Sequence, residues 1–152
     1  MNELNDLKVL RVQSSEDFAR LAEEISAADW NEENDMGDYT SQSLRAFVAN
    51  DRRVLVTAHR GTQLAGIASA AIQLKPYEYE LWLYVDEVDV PVTFRNQGIG
   101  KAMMTLLLSI AKEQDCTELW LGTEHDNEAA LSLYKSLEPD ETEPFVGFTF
   151  RF

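Results

Sequence analysis

The chain has 152 residues, 45% of them hydrophobic, with 27 Asp and Glu against 13 Lys and Arg and a net charge of −14. That length sets the expectation of one domain over residues 1–152, large enough for a full core, while the acidic excess excludes a nucleic-acid partner and draws cations instead. No apolar run reaches the about 18 residues of a membrane helix, no signal-like stretch opens the chain, and the lone Cys116 excludes an internal disulfide, so a cytoplasmic protein with no membrane partner is expected.

Residues 7–12 read as a short first strand. Ser14 or Ser15 has an N-capping side chain, ahead of Phe18, Leu21, Ala22 and Ile25 at helical spacing. The stretch from Asp29 to Tyr39 has no period and carries Glu32, Glu33, Asp35 and Asp38. It is either a solvated loop or a cation-collecting wall, with Trp30 and Tyr39 as flat apolar faces. Leu44, Phe47 and Val48 mark a second short helix. Residues 54–59 and 64–74 form a hairpin pattern around Arg60-Gly61-Thr62-Gln63.

Beyond Pro76 a long strand starts near Tyr79. Its apolar residues are odd-numbered at Tyr79, Leu81, Leu83 and Val85, then even-numbered at Val88, Val90 and Val92. Such a phase slip predicts a β-bulge near Asp86-Glu87 and unpaired backbone amides beside it. A turn follows, Arg95-Asn96-Gln97-Gly98-Ile99-Gly100-Lys101, and then a helix whose stripe is Ile99, Ala102, Met103, Leu106, Leu107, Ile110 and Ala111. Free amides at a helix start, beside two glycines, suit an anion such as a phosphate. A dinucleotide fingerprint is excluded because Met103 replaces its third glycine, and a Walker loop because Arg95 and Ala102 replace its Gly and Ser/Thr.

Glu118-Leu119-Trp120-Leu121-Gly122 reads as a buried strand. Asp126 or Asn127 then caps a helix bearing Ala130, Leu133, Tyr134 and Leu137, which Pro139 ends. Residues 145–152 supply a last strand with Phe148, Phe150 and Phe152 on one side, an apolar edge that points to a homodimer.

The order strand, Arg95-x-x-Gly98-x-Gly100 helix, strand, then Thr123-x-x-x-Asn127-x-x-Ala130-x-x-Leu133-Tyr134 resembles the GNAT superfamily of acetyl-CoA-dependent N-acyltransferases from about Val54 onward. The resemblance implies an α/β fold, a central mixed sheet flanked by about four helices, with two strands splayed to admit the cofactor acetyl-CoA; no metal is implied. It also implies roles. Backbone groups of Val88, Asp89 and Val90 would pair with the pantetheine arm and polarise the acetyl carbonyl. Residues Arg95, Asn96, Gln97, Gly98, Ile99, Gly100 and Lys101 would hold the pyrophosphate, Asn127 would contact pantetheine, and Tyr134 would protonate the departing thiolate. The segment from Leu74 to Tyr84, with Leu133-Tyr134-Lys135-Ser136-Leu137, is similar to aminoglycoside 3-N-acetyltransferases, in which a carboxylate lies where Glu124 stands. One departure stands out: Glu138-Pro139 replaces the usual Gly-Phe, and a residue before proline is biased toward extended geometry rather than a left-handed cap.

An attacking amine must be neutral, so a protonated one needs an acceptor for its proton. Glu87, Asp89, Glu124 and His125 are candidates; Glu87 and Asp89 share a strand face, and Glu124 is preferred for contact with the amine. With Tyr84, Glu32, Glu33, Asp35 and Asp38, Glu124 and His125 make up the expected substrate side. Each carboxylate has a plain alternative as a solvated surface group. The expected activity is acetyl transfer to a cationic small-molecule amine, foremost the 3-N position of an aminoglycoside. A polyamine, a protein N-terminal amine, or a CoA-binding domain without catalysis are the alternatives.

Overall fold

In the computed structural model, which describes residues 6–152, the elements are β1 (Leu7–Arg11), α1 (Phe18–Ala27), α2 (Ser41–Ala49), β2 (Arg53–Arg60), β3 (Gln63–Leu74), β4 (Leu81–Asp89), α3 (Ile99–Glu113), β5 (Glu118–Trp120) and α4 (Glu128–Ser136). One mixed sheet runs in the order β1-β2-β3-β4-β5. The first four strands form an antiparallel meander, and β5 lies parallel to β4 because α3 carries the chain back across the sheet.

Each sheet face has its own core. On one, Ile99, Met103, Met104, Leu107 and Ile110 of α3 meet Val54, Val56, Ala68, Leu83 and Val85, with Tyr134 of α4 and its C-cap Leu137 at the margin. On the other, Phe18, Leu21 and Ile25 of α1 and Leu44 of α2 cover Leu55, Leu64 and Ile67. Met103 and Leu107 are fully buried; each contributes roughly 1.5–3 kcal/mol by leaving water.

Several boundaries differ from the sequence expectation. Asp17, not Ser14 or Ser15, caps α1, its Oδ1 accepting from the Arg20 amide at 3.1 Å. β4 begins at Leu81, because Glu78 and Tyr79 lie at φ +55 and cannot extend a strand. It ends at Asp89; Val92 sits in a single 3-10 turn, Val92–Phe94, that follows Pro91. β5 is short and only partly buried, so the buried strand expected to reach Gly122 is cut to three residues. Residues 145–152 form no strand: Phe145 packs edge-on against Trp120, while Phe148, Phe150 and Phe152 are exposed. Glu138 takes φ +55 despite preceding proline, and its amide reaches the Lys135 carbonyl at 3.1 Å, so α4 ends in a left-handed cap after all.

Candidate active site

The site is built where β4 outruns β5. Pairing between the two covers only Trp82, Tyr84 and the Leu83 between them. From Val85 to Asp89 the edge of β4 that faces β5 has no strand beside it, so the two strands part as a cleft. The anticipated bulge is present: Val85 pairs with Ala70 and Glu87 with Ser69, leaving Asp86 as the extra residue. It reverses parity. Leu83 and Val85 face α3, whereas after the bulge Glu87 and Asp89 share the α1/α2 face with Tyr84 and Trp82.

At the bottom of the cleft α3 begins. Gly98 lies at φ +76, where an added Cβ meets nothing within 4 Å, so the glycine is needed for conformation and the space before it is open. No side chain caps this helix start. The first helical return bond is from the Ala102 amide to Gly98 O, so the amides of Ile99, Gly100 and Lys101 have no carbonyl of a preceding turn to bind. That cradle fits a phosphate group. Gly100 serves a different purpose: a Cβ there would sit 2.9 Å from Leu133 Cδ2, so α4 approaches α3 closely at this point. Tyr134, one residue on, packs at the margin of the α3 core.

Arg95 does not aim its guanidinium at the cradle. Nε donates to Val90 O at 3.3 Å, and Nη2 donates to Asn31 Oδ1 at 3.0 Å and Asn34 Oδ1 at 2.9 Å. Glu33 lies 3.7 Å away as an exposed partner. Asn34 Nδ2 in turn donates to Asp89 Oδ1 at 2.9 Å. The stretch after α1 is thus a docked segment, tied also by Val92 N to Asp29 O at 2.8 Å. Sequence reasoning missed Asn31 and Asn34. Their signal was the spacing of a capping box, Asn-x-x-Asn, which closes the 3-10 turn Glu32–Asn34.

The docked segment brings carboxylates together. Gly37, Asp38 and Tyr39 line a cavity of about 340 Å³ with Ser43, Leu44 and Phe47 of α2, and with Ser69 and Glu87 of the sheet. Asp89 is buried, and burial raises its carboxyl above the usual range against the opposing pull of Asn34, Glu87 and Arg95. Glu87 is raised by burial and then by Asp89, Asp86 and Asp35; it donates a hydrogen bond to Asp89 when protonated. Tyr39 is pushed up to about 12 by burial and by the same two carboxylates, so its hydroxyl remains a donor beside them. The Tyr134 phenol is raised by burial foremost and then by the Asp89 charge.

Other expected residues stand apart. Glu32, Glu33, Asp35 and Asp38 are all exposed, and Asp35 and Asp38 are the two that reach the carboxylate pair or the cavity. Glu124 and His125 are exposed on the loop between β5 and α4, where Glu124 O accepts from Asn127 N. Asn127 caps α4, its Oδ1 accepting from Ala130 N at 3.1 Å, which leaves its amide nitrogen free to donate. The Tyr84 hydroxyl accepts from Lys75 Nζ at 2.6 Å, and its ring stands between Trp82 and Trp120.

A family model described as "Acetyltransferase (GNAT) family" matches residues 18–138. The chain belongs to the GNAT family. As a GNAT protein it is 28% identical over 107 residues to N-acetyltransferase family 8 member 2 of Rattus norvegicus, covering 66% of this chain and 47% of that protein. It is 25% identical over 135 residues to N-alpha-acetyltransferase 30 of Saccharomyces cerevisiae, covering 86% and 73%. The matched stretch spans about half the length of the first of these relatives. An aminoglycoside acetyltransferase from an uncultured soil metagenomic sample, crystallised with trehalose, superposes with a TM-score of 0.84 at 20% identity, covering 97% of both chains. The ribosomal-protein-alanine N-acetyltransferase of Brucella melitensis biovar Abortus 2308 does so at 0.73 and 17%, covering 96% of this chain and 99% of that one. These likenesses establish the GNAT fold. Among the described residues no cluster of metal-ligating side chains occurs, and no helix is long and apolar enough to cross a membrane.

Proposed function

We propose that this GNAT protein moves an acetyl group from acetyl-CoA to a primary amine of a polycationic small molecule of the aminoglycoside class. One observation supports the reading: Asp38 and Glu87 line one cavity, and the charges of Asp89 and Asp35 act on Glu87. The first-turn amides of α3 would hold the pyrophosphate, with Gly98 leaving room and Lys101 adding charge. The backbone of Val88 and the amide of Val90, whose carbonyl is engaged by Arg95, would hold the pantetheine arm, and Asn127 would donate to it. Arg95 supports this site by fastening the acidic segment, while its backbone remains part of the turn.

The chemistry follows from that placement. An ammonium substrate is attracted by the acidic wall and gives one proton to the Glu87–Asp89 pair, whose raised affinity for protons makes it a better base than an ordinary carboxylate. The neutral nitrogen attacks the thioester carbon; the C–N bond forms and the C–S bond breaks. Tyr134 protonates the departing thiolate and regains its proton through solvent as the nitrogen sheds its second one. Glu87, with its neighbour Asp89, is preferred here over Glu124, because Glu87 lines the cavity.

The test is thiol release from acetyl-CoA against aminoglycosides, polyamines and peptides with a free N-terminus. The expected order of kcat/KM puts aminoglycosides first, with the 3-amine acylated. A preference for singly charged peptide amines would reject the aminoglycoside reading. Tight CoA binding with no thiol release from any amine would indicate a domain that binds without catalysing.

A further inference from the structure

The cavity beside Glu87 is not polar throughout. Asp38 and Glu87 supply its carboxylates, whereas Leu44 and Phe47 of α2 and Leu55 of β2 give it a hydrocarbon side, and Tyr39 adds a ring. Leu44 and Leu55 are 2% and 3% exposed and belong to the core between α2 and the sheet. Ser43 brings little polarity to this side, because its hydroxyl is taken up in the capping box of α2: it donates to Thr40 O at 3.0 Å and accepts from Thr40 N at 2.9 Å. A sugar ring placed against these residues would turn hydroxyls toward hydrocarbon and lose their hydrogen bonds to water, whereas a plain hydrocarbon gains by leaving water. The volume of about 340 Å³ suits a small molecule, whose pockets run from ~300 to ~1,000 Å³. No Lys or Arg is among the lining residues, so an organic cation is the charge that complements Asp38 and Glu87.

We propose that this cavity takes a second class of acceptor, a primary amine with a single ammonium on a compact hydrocarbon body, and that this amine too is acetylated. The hydrocarbon packs on Leu44, Phe47 and Leu55, and the ammonium sits at Glu87. The inference rests on the acetyl-transfer reading above. Glu87 directly precedes Val88, whose backbone is proposed to hold the pantetheine arm, so an amine at Glu87 stands beside the thioester. Glu87 takes one proton, the neutral nitrogen attacks the thioester carbon, and the C–N bond forms as the C–S bond breaks. Tyr134 protonates the thiolate and is restored through solvent as the nitrogen sheds its second proton. Polycations use the other part of the site: their further ammonium groups meet the exposed carboxylates of Glu32, Glu33 and Asp35 and leave the hydrocarbon side unused.

Ethylamine, butylamine and cyclohexylmethylamine carry the same single charge and differ only in hydrocarbon. On the full chain with acetyl-CoA, kcat/KM for thiol release should rise about fourfold per buried methylene, so butylamine should exceed ethylamine by roughly tenfold or more and cyclohexylmethylamine should exceed both. Calorimetry without acetyl-CoA should give the same order of affinity. Phe47→Ala should lower the ratio of cyclohexylmethylamine to ethylamine by roughly tenfold. Glu87→Gln should weaken binding of all three amines and leave their ratios in place. If Phe47→Ala fails the melting scan of a folded domain, the amine series on the unmodified chain decides. Equal affinity across that series would overturn the proposal, as would an unmoved ratio in folded Phe47→Ala protein. Turnover of aminoglycosides without binding or turnover of cyclohexylmethylamine would overturn it and leave the polycation reading standing. Graded binding with no thiol release from any amine would overturn the acetyl-transfer reading, and this second substrate class with it.

Discussion

At the scale of single residues, the proposed mechanism rests on two protons held at raised affinity. The Tyr134 phenol is held above the usual value by burial and by Asp89, so it stays protonated and available to a leaving thiolate. Tyr134→Phe should lower kcat by roughly 10²–10⁴-fold with little change in CoA affinity, measured by steady-state kinetics beside calorimetry. Glu87 and Asp89 are raised, above all by burial and, for Glu87, next by Asp89. A carboxyl raised by folding stabilises the fold below its ordinary value and loses that contribution as pH climbs through the raised one. Asp89→Asn removes a buried charge while keeping an oxygen for Asn34 to bind. Melting scans should therefore show a higher Tm near neutrality and a smaller gain in mild acid. The same change removes the neighbour that raises Glu87, so the acid limb of kcat/KM in the residual activity should move to lower pH. A limb that stays in place would assign the proton acceptor elsewhere, with Glu124 next in line.

At the scale of elements, the start of α3 and its contact with α4 divide the work of the two glycines. Gly98 holds a left-handed backbone facing open space, and Gly100 lets Leu133 approach. Gly98→Val should cost about 1–3 kcal/mol of stability through backbone strain and weaken CoA binding by distorting the cradle. Gly100→Val instead wedges α4 away, with overpacking of about 1–3 kcal/mol, and shifts the helix that carries Tyr134. Chemical denaturation, calorimetry and kcat should separate them: Gly98→Val loses CoA affinity first, and Gly100→Val loses turnover first. Unchanged affinity in a folded Gly98→Val protein would remove the phosphate cradle from the mechanism.

At the scale of the whole molecule, the net charge of −14 sets a long-range field, and the docked segment aims part of it at the cavity. For an aminoglycoside, kcat/KM should fall steeply between low and physiological salt while kcat changes little, because screening over ~8 Å weakens steering but not the chemistry. Neutralising Glu32, Glu33, Asp35 and Asp38 together should flatten that dependence. Stopped-flow or initial-rate measurements across a salt series test both statements. Salt-independent turnover of a polycation would disconnect the acidic surface from substrate capture.

What the sequence determined by itself is what a few neighbouring residues encode. The parity change from Val85 to Val88 located the bulge, periodicity placed α3, and the cap of α4 was narrowed to Asp126 or Asn127, of which Asn127 forms it. Each depends on backbone geometry within about a turn or a strand repeat. The tertiary structure decided the rest, because those contacts join residues far apart in the chain. Arg95 turns from the anion cradle to Asn31, 64 positions away, and Asn34 reaches Asp89 across 55. Tyr39 gains its raised affinity for a proton only once its loop is docked over Glu87 and Asp89. Residues 145–152 have a strand's pattern yet form none in their own chain, since alternation creates an apolar face and only a neighbouring edge can turn it into a strand.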